Sequence, residues 1–352
     1  MREAELWKPM PGKAVSCFLC QRRCYIKEGE LGFCRVRQNI GGALQSLNYG
    51  KCAACCMDPI EKKPFYHFMP GSQVFSFAAA GCNFRCEHCQ NWDISQPAEI
   101  FGQGLPPQKL VDLALAHRSE GIAYTYTEPT IFYEYAKDTA LLARKRGMYN
   151  VFVTNGYETP ETIKDAAFLD AARIDLKAFT DKFYREVCGD AHLEPVLKSI
   201  KLFHSKMHIE LITLLIPTLN DSDGEIRALS KWVKGLDAEI PLHFTAYYPA
   251  NRMKLPPTPI ETLVRARKIA MEEGLKYVYT GNRPGDEGES TYCPKCGFCV
   301  VRRFGFEILE NKLSGGKCPQ SVGAGAPPAF ARCAKCGAKL PIITDWKKGR
   351  KG

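Results

Sequence analysis

No uncharged apolar run in this chain approaches the roughly 18–20 residues that cross a bilayer, so membrane proteins built from helices are excluded. The start, MREAELWKPMPGK, carries acids and lacks the apolar segment of a secretory signal. No tight internal repeat is visible, which excludes a solenoid. No stretch interleaves basic and aromatic residues in the manner of an RNA-binding motif. The one dense basic run is Lys347, Lys348, Arg350 and Lys351 in the tail, and a solvated tail is its simplest reading. These absences point to a soluble, cytoplasmic protein with no membrane partner and speak against a nucleic-acid partner.

What is present is a globular composition, 45% hydrophobic and 24% charged, with a formal charge of +10. The 352 residues exceed one ordinary core and suit one α/β barrel with appendages. The 17 cysteines are unevenly placed: seven between Cys17 and Cys56, three between Cys82 and Cys89, six between Cys293 and Cys336, and Cys188 alone. A protein kept in a reducing compartment uses such short-spaced cysteines as metal or iron–sulfur ligands rather than disulfides.

Three regions follow from the pattern: a Cys-rich module over 1–70, a barrel over 71–284, and a zinc-ribbon-like module with a basic tail over 285–352. Strands are predicted at Val74–Ala79, Ile122–Thr127, Asn150–Thr154, Arg173–Ala178, His208–Ile216, Leu242–Tyr247 and Lys276–Thr280. Helices are predicted at Gln108–Arg118, Ile131–Arg146, Glu194–His204, Gly224–Val233 and Ile260–Glu273, with Thr159 and Pro160 as an N-cap and first-turn pair. Such alternation makes a parallel sheet. No glycine-rich phosphate turn follows the first strand, which argues against a dinucleotide fold. Polar residues recur instead at strand ends: Thr127 and Glu128, Thr154 and Asn155, Asp175 and Lys177, Tyr247 and Tyr248. Strand ends converging on one polar pocket favour a barrel or partial barrel.

Cys82, Cys86 and Cys89 have C-x3-C-x2-C spacing on a loop directly after the first strand, with Gly81 free to bend the backbone. A 4Fe-4S cluster filled by protein takes four cysteines, so three leave one iron open to a small molecule. The alternative is a zinc site with His88 as fourth ligand, strained because His88 adjoins Cys89.

This motif resembles that of the radical S-adenosylmethionine superfamily, whose fold is a partial (β/α)6 TIM-type barrel, and the resemblance runs from about Ser72 to Asn282. It implies that Cys82, Cys86 and Cys89 bind a 4Fe-4S cluster whose fourth iron is chelated by S-adenosylmethionine. Reductive cleavage of that molecule then gives a 5′-deoxyadenosyl radical that takes hydrogen from a substrate. Tyr126-Thr127-Glu128-Pro129 stands where the family has a Gly-Gly-Glu-type motif, so Glu128 and Thr127 are expected at the ligand's ammonium. Thr154 and Asn155, then Asp175 and Lys177, match the third and fourth strand ends of activating enzymes. His88 fills the place of the family's adenine-facing aromatic.

The stretches Cys17–Cys20 through Cys34–Asn39, Asp58–Phe68, Tyr124–Tyr135 and Tyr279–Gly285 look like the radical enzyme of the AmmeMemoRadiSam system, itself similar to pyruvate formate-lyase activating enzymes. That resemblance implies an electron donor such as flavodoxin or ferredoxin, and a protein substrate or the other proteins of that system as partners. A glycyl-radical activase and a non-redox zinc scaffold or nucleic-acid-binding module are the competing readings. No cysteine lies between Cys89 and Gln108, so the ferredoxin-like insert of some activases is missing there.

Two flanking sites complete the pattern. Cys17, Cys20, Cys24 and Cys34, spaced C-x2-C-x3-C-x9-C, can fill a zinc site or an auxiliary cluster, with Cys52, Cys55 and Cys56 outside the set. Cys293, Cys296, Cys333 and Cys336 form two knuckles of a zinc ribbon, with an auxiliary cluster as the alternative and Cys299 and Cys318 as spares. The charged, aromatic Asp58–Phe68 segment is expected to pack over the barrel mouth, where Lys62 or Lys63 can meet an anionic substrate.

Overall fold

Strands buried on both faces need helices on the far side, and connections between parallel neighbours must supply them. The structure, a computed structural model, describes residues 1–314 and 330–346. It holds one eight-stranded sheet built from β1 (Ala54–Pro59), β2 (Gln73–Ala78), β3 (Gly121–Tyr124), β4 (Tyr149–Thr154), β5 (Ala171–Asp175), β6 (His208–Leu215), β7 (Leu242–Ala246) and β8 (Val278–Gly281). Strands β2 to β8 are parallel neighbours in sequence order. Helices α1 (Pro107–Ala116), α2 (Tyr133–Lys145), α3 (Pro160–Asp165), α4 (Asp181–Val187), α5 (Leu193–Lys206), α6 (Asp223–Leu236) and α7 (Ile260–Glu272) fill the six crossovers. The result is six strand–helix units and a closing seventh strand, the expected partial barrel, left open between β1 and β8.

The helix starts follow local chemistry. Thr159 Oγ1 accepts the Thr162 N–H at 3.2 Å and Pro160 opens α3, as the sequence implies. Helix α2 begins later than its apolar pattern, because Glu128 caps a 3-10 turn over Pro129–Phe132 first.

Two expectations shift. Strand β1, assigned from sequence to the N-terminal module, pairs antiparallel with β2 from Ala54 opposite Ala78 to Pro59 opposite Gln73. The barrel sheet thus begins at Ala54, because the outer edge of β2 would otherwise carry unpaired backbone groups. The Asp58–Phe68 segment reaches the central cavity, as expected, through Lys62, Lys63 and Pro64, but it enters from the other end of the barrel. Its Tyr66 and His67 N–H groups donate to Glu210 near the start of β6, at 3.0 and 2.7 Å, so it plugs the base.

The N-terminal module is two small antiparallel sheets joined to α2 by a buried ion pair, Arg37 with Glu134. Arg37 also donates to the Glu5 carbonyl at 3.0 Å, and the Glu5 N–H donates to Glu134 at 2.7 Å. The C-terminal module, with β9 (Cys299–Phe304) and β10 (Glu307–Asn311), is tied to the base segment. Met69 and Ile343 exchange backbone bonds with Ile343 and His67, each 2.7 Å, and Arg303 donates to the Tyr66 carbonyl at 3.2 Å. The basic tail, Cys318 and nearly all of the Gly/Pro-rich loop lie outside the described residues. Among the described residues no helix is long and apolar enough to cross a membrane.

Removing one partner of a fully buried ion pair strands the other charge. Arg37→Leu should therefore destabilise the protein by about 3–5 kcal/mol. The Arg37→Leu/Glu134→Leu double variant should recover part of that loss. Thermal unfolding of the three proteins checks the order.

Candidate active site

The loop after β2 carries the three central cysteines, and its shape is set by neighbours. Gly81 has φ +106°, and a Cβ there would lie 2.6 Å from Val36 Cγ1 of the N-terminal module. Asn48 Nδ2 donates to the Ala80 carbonyl and Arg22 Nε to that of Asn83, both at 3.0 Å. Arg85 Nη1 closes the loop on the Cys82 carbonyl at 2.7 Å. Its own N–H and that of Glu87 donate to the carbonyls of Cys188 and Val187, at 3.1 and 2.9 Å.

Cys82, Cys86 and Cys89 line one cavity of about 320 Å³ at the carboxyl ends of the parallel strands. His88, Thr127, Thr154, Asn155, Asp175 and Lys177 line the same cavity, so sequence-distant candidates do converge. Tyr247 and Tyr248 are not in that lining. The hydroxyl of Tyr247 donates to the Met253 carbonyl at 3.1 Å, and that of Tyr248 to the Asn282 carbonyl at 3.1 Å.

Glu128 is a correction: it lies behind the lining, wholly buried. One carboxylate oxygen accepts the Thr130 N–H at 3.0 Å and the hydroxyls of Thr130 and Thr154 at 2.6 and 2.9 Å. The other accepts the Asn155 N–H at 2.8 Å. Buried and absent from the cavity lining, it orients Thr154 and Asn155 rather than facing a ligand's ammonium. Asn155 Nδ2 in turn donates to Asn83 Oδ1 at 2.6 Å, beside Cys82.

Asp175 is flanked by two cations. Lys177 Nζ stands 2.8 Å from one oxygen, and Arg173 pairs with the other. Burial opposes charge on both bases and lowers Arg173 to about 9. At Lys177 burial is outweighed by the negative charge that Cys86 and Cys188 carry as thiolates, which raises the ammonium above its ordinary range. Burial, then the Lys177 charge, pushes His88 down to about 3, so its ring is neutral. Its Nδ1 is buried without a hydrogen-bond partner among the described residues. That orphan atom in a cavity with three thiols fits a ligand that brings polar groups of its own.

Lys62 and Lys63, expected near a substrate, do line the cavity, as does Tyr126, while Arg173 and Glu158 escaped the sequence reading. Arg173 carried a signal, since it alternates with Asp175 and Lys177 along one strand face. Glu158 carried none, because only the fold brings its carboxylate against Thr154 and Thr130, the latter at 2.8 Å.

Among the described residues, three or more ligand atoms gather within 4.8 Å of one another at one place, Cys293, Cys296, Cys333 and Cys336. The Sγ pairs Cys293–Cys336 and Cys296–Cys333 are each 3.7 Å apart. Zinc–sulfur bonds of about 2.3 Å make a tetrahedron with edges of about 3.8 Å, so this donor set fits zinc. Neither Cys82, Cys86, Cys89 and His88 nor Cys17, Cys20, Cys24 and Cys34 gather so closely. Cys17, Cys20, Cys24 and Cys34 converge on a small cavity of about 20 Å³ beside Arg37, whose Nη1 is 3.9 Å from Cys17 Sγ.

Residues 78–229 match the model of the Radical SAM superfamily. A Methanocaldococcus jannaschii protein described as uncharacterized is 45% identical over 348 residues, 97% of this chain and 100% of that one. The pyruvate formate-lyase-activating enzyme of Clostridium pasteurianum is 25% identical over 173 residues, 47% of this chain and 71% of its own. Among solved structures, a radical SAM methyltransferase from Sphaerobacter thermophilus superposes with a TM-score of 0.48 at 16% identity, over 62% of this chain and 68% of that one.

Glu128 and Glu158 share the hydroxyls of Thr130 and Thr154. Burial, then the Glu158 charge, raises Glu128 to about 7, and burial raises Glu158 also. The folded protein therefore keeps protons that the unfolded chain releases from about 4.5 upward. This contribution to stability is fully present below that value and is lost as pH rises through about 7. Glu158→Gln removes the repulsion and should flatten the decline, as thermal midpoints measured across that interval will show.

Proposed function

Because the chain belongs to the radical S-adenosylmethionine superfamily, and is an enzyme, we propose that it cleaves S-adenosylmethionine reductively and uses the radical to take hydrogen from a substrate. The carrying observation is that three thiols, from one loop, line the same cavity as the polar ends of β3, β4 and β5. When bound, a 4Fe-4S cluster supplies the electron that splits the sulfonium C5′–S bond.

The chain's own residues do the rest. Cys82, Cys86 and Cys89 would hold three irons and leave one open. Thr127, Thr154 and Asn155 offer hydrogen bonds on one wall. Asp175, clamped by Arg173 and Lys177, presents a fixed carboxylate to ribose hydroxyls or an ammonium on the other. The neutral ring of His88 lies against Phe183, centroids 6.0 Å apart, where an adenine can be met. Glu128 is a positioning residue acting through Thr154 and Asn155. The N-terminal module packs against the cysteine loop and shields it from water and oxygen. A one-electron donor of the flavodoxin or ferredoxin class completes the reaction. The likeness to the Clostridium pasteurianum enzyme supports a second reading, in which the hydrogen comes from a glycine of a partner protein.

The C-terminal module, by its donor spacing, is a structural zinc site; Cys17, Cys20, Cys24 and Cys34 form a second closed metal site. The regions 1–70, 71–284 and 285–352 would then be two metal-organised modules around a barrel, the first lending β1 to the sheet.

Anaerobically reconstituted protein should bind about four irons and four sulfides at the central site. It should release 5′-deoxyadenosine on reduction with S-adenosylmethionine. Cys86→Ala should lose both while thermal unfolding stays cooperative; undiminished product would refute the assignment. Cys293→Ser should lose about one equivalent of zinc and lower the unfolding temperature, with central iron unchanged.

A further inference from the structure

A second cluster of reactive side chains borders the cavity. Tyr126 lines it, and behind Tyr126, on β1, stands Cys56. The Tyr126 hydroxyl is 2.7 Å from Cys56 Sγ and donates to Asp58 Oδ2 at 2.9 Å. Cys56 Sγ is itself 3.0 Å from that oxygen. Lys62 and Lys63 each donate to Asp58 at 2.6 Å, and the Lys63 ammonium sits 4.5 Å from the Tyr126 ring centroid.

Two features set this group apart from an ordinary rim network. Tyr126 has φ +69°, in the left-handed region that glycine occupies without cost and a residue with a Cβ does not. The chain accepts that strain to keep a phenol at the cavity wall. Burial and the adjoining Asp58 carboxylate push both the Cys56 thiol and the Tyr126 phenol up, so each retains its hydrogen at neutral pH. Neither is a base or a ready nucleophile.

Resting on the function proposed above, we propose that Tyr126, backed by Cys56, delivers a hydrogen atom to a carbon radical in this cavity. The Tyr126 O–H bond breaks as a C–H bond forms, leaving a neutral phenoxyl radical. The Cys56 S–H bond then breaks as the phenol O–H re-forms, leaving a thiyl radical. Cys56 is exposed, so one electron from the same low-potential donor class and one solvent proton restore the thiol. Each transfer moves a neutral hydrogen atom, so the charges of Asp58, Lys62 and Lys63 stay balanced.

The test needs no substrate. Holoenzyme in D2O is given S-adenosylmethionine and dithionite, and the 5′-deoxyadenosine is analysed by mass. The O–D and S–D of this pair exchange with solvent, so most product should carry one deuterium. Tyr126→Phe should lower that fraction several-fold, and Cys56→Ala should limit labelled product to about one per protein. As a readout apart from turnover, Tyr126→Phe should slow peptide-resolved alkylation of Cys56 in holoenzyme without S-adenosylmethionine, because the phenol favours the thiolate. Product without deuterium, or equal deuterium in Tyr126→Phe, overturns the relay and leaves the proposed function standing. No product at all overturns both.

Discussion

Everything at the candidate site depends on a loop that cannot hold its own shape. Between β2 and the one-turn helix at Trp92–Ser95, the backbone has no ladder to join. Its polar groups are met by Asn48, Arg22 and Arg85 and by the 187–188 backbone. A buried backbone left unpaired would cost more than any single contact here gains. The N-terminal module is therefore part of the site's architecture, and Val36 against Gly81 leaves the loop one path.

Charge is handled by containment. Arg173, Asp175 and Lys177 project from one strand face and its continuation, so the lone carboxylate between two bases has little freedom to turn. Behind the wall, Glu128 and Glu158 share threonine hydroxyls, an arrangement that rigidifies Thr154 and Asn155 while keeping both acids from water. At the other end of the barrel Glu210 accepts from two backbone N–H groups and lies 2.8 Å from His243, which fastens the base segment. The cavity thus opens between a clamped loop above and a polar plug below.

The C-terminal module is seated on that plug. Its strand end at Ile343 pairs with the 67–69 backbone, and Arg303 reaches through to Tyr66 and Glu61. Phe306, at the turn between β9 and β10, extends to the cavity lining, so a module built around sulfur ligands also shapes the site.

The order of strands and crossovers, the three clusters of cysteine and the polar strand ends were all readable along the chain. Periodicity and ligand spacing are local properties, and residues a few positions apart carry them. The pairing of β1 with the barrel, the retreat of Glu128 behind the wall, and the meeting of Cys56, Asp58, Lys63 and Tyr126 were not readable. These arise where strands from distant parts of the chain pack side by side. Only the closed packing decides which carboxylate meets hydroxyls and which meets a cavity, because burial and hydrogen-bond supply are set by neighbours that the sequence does not place next to one another.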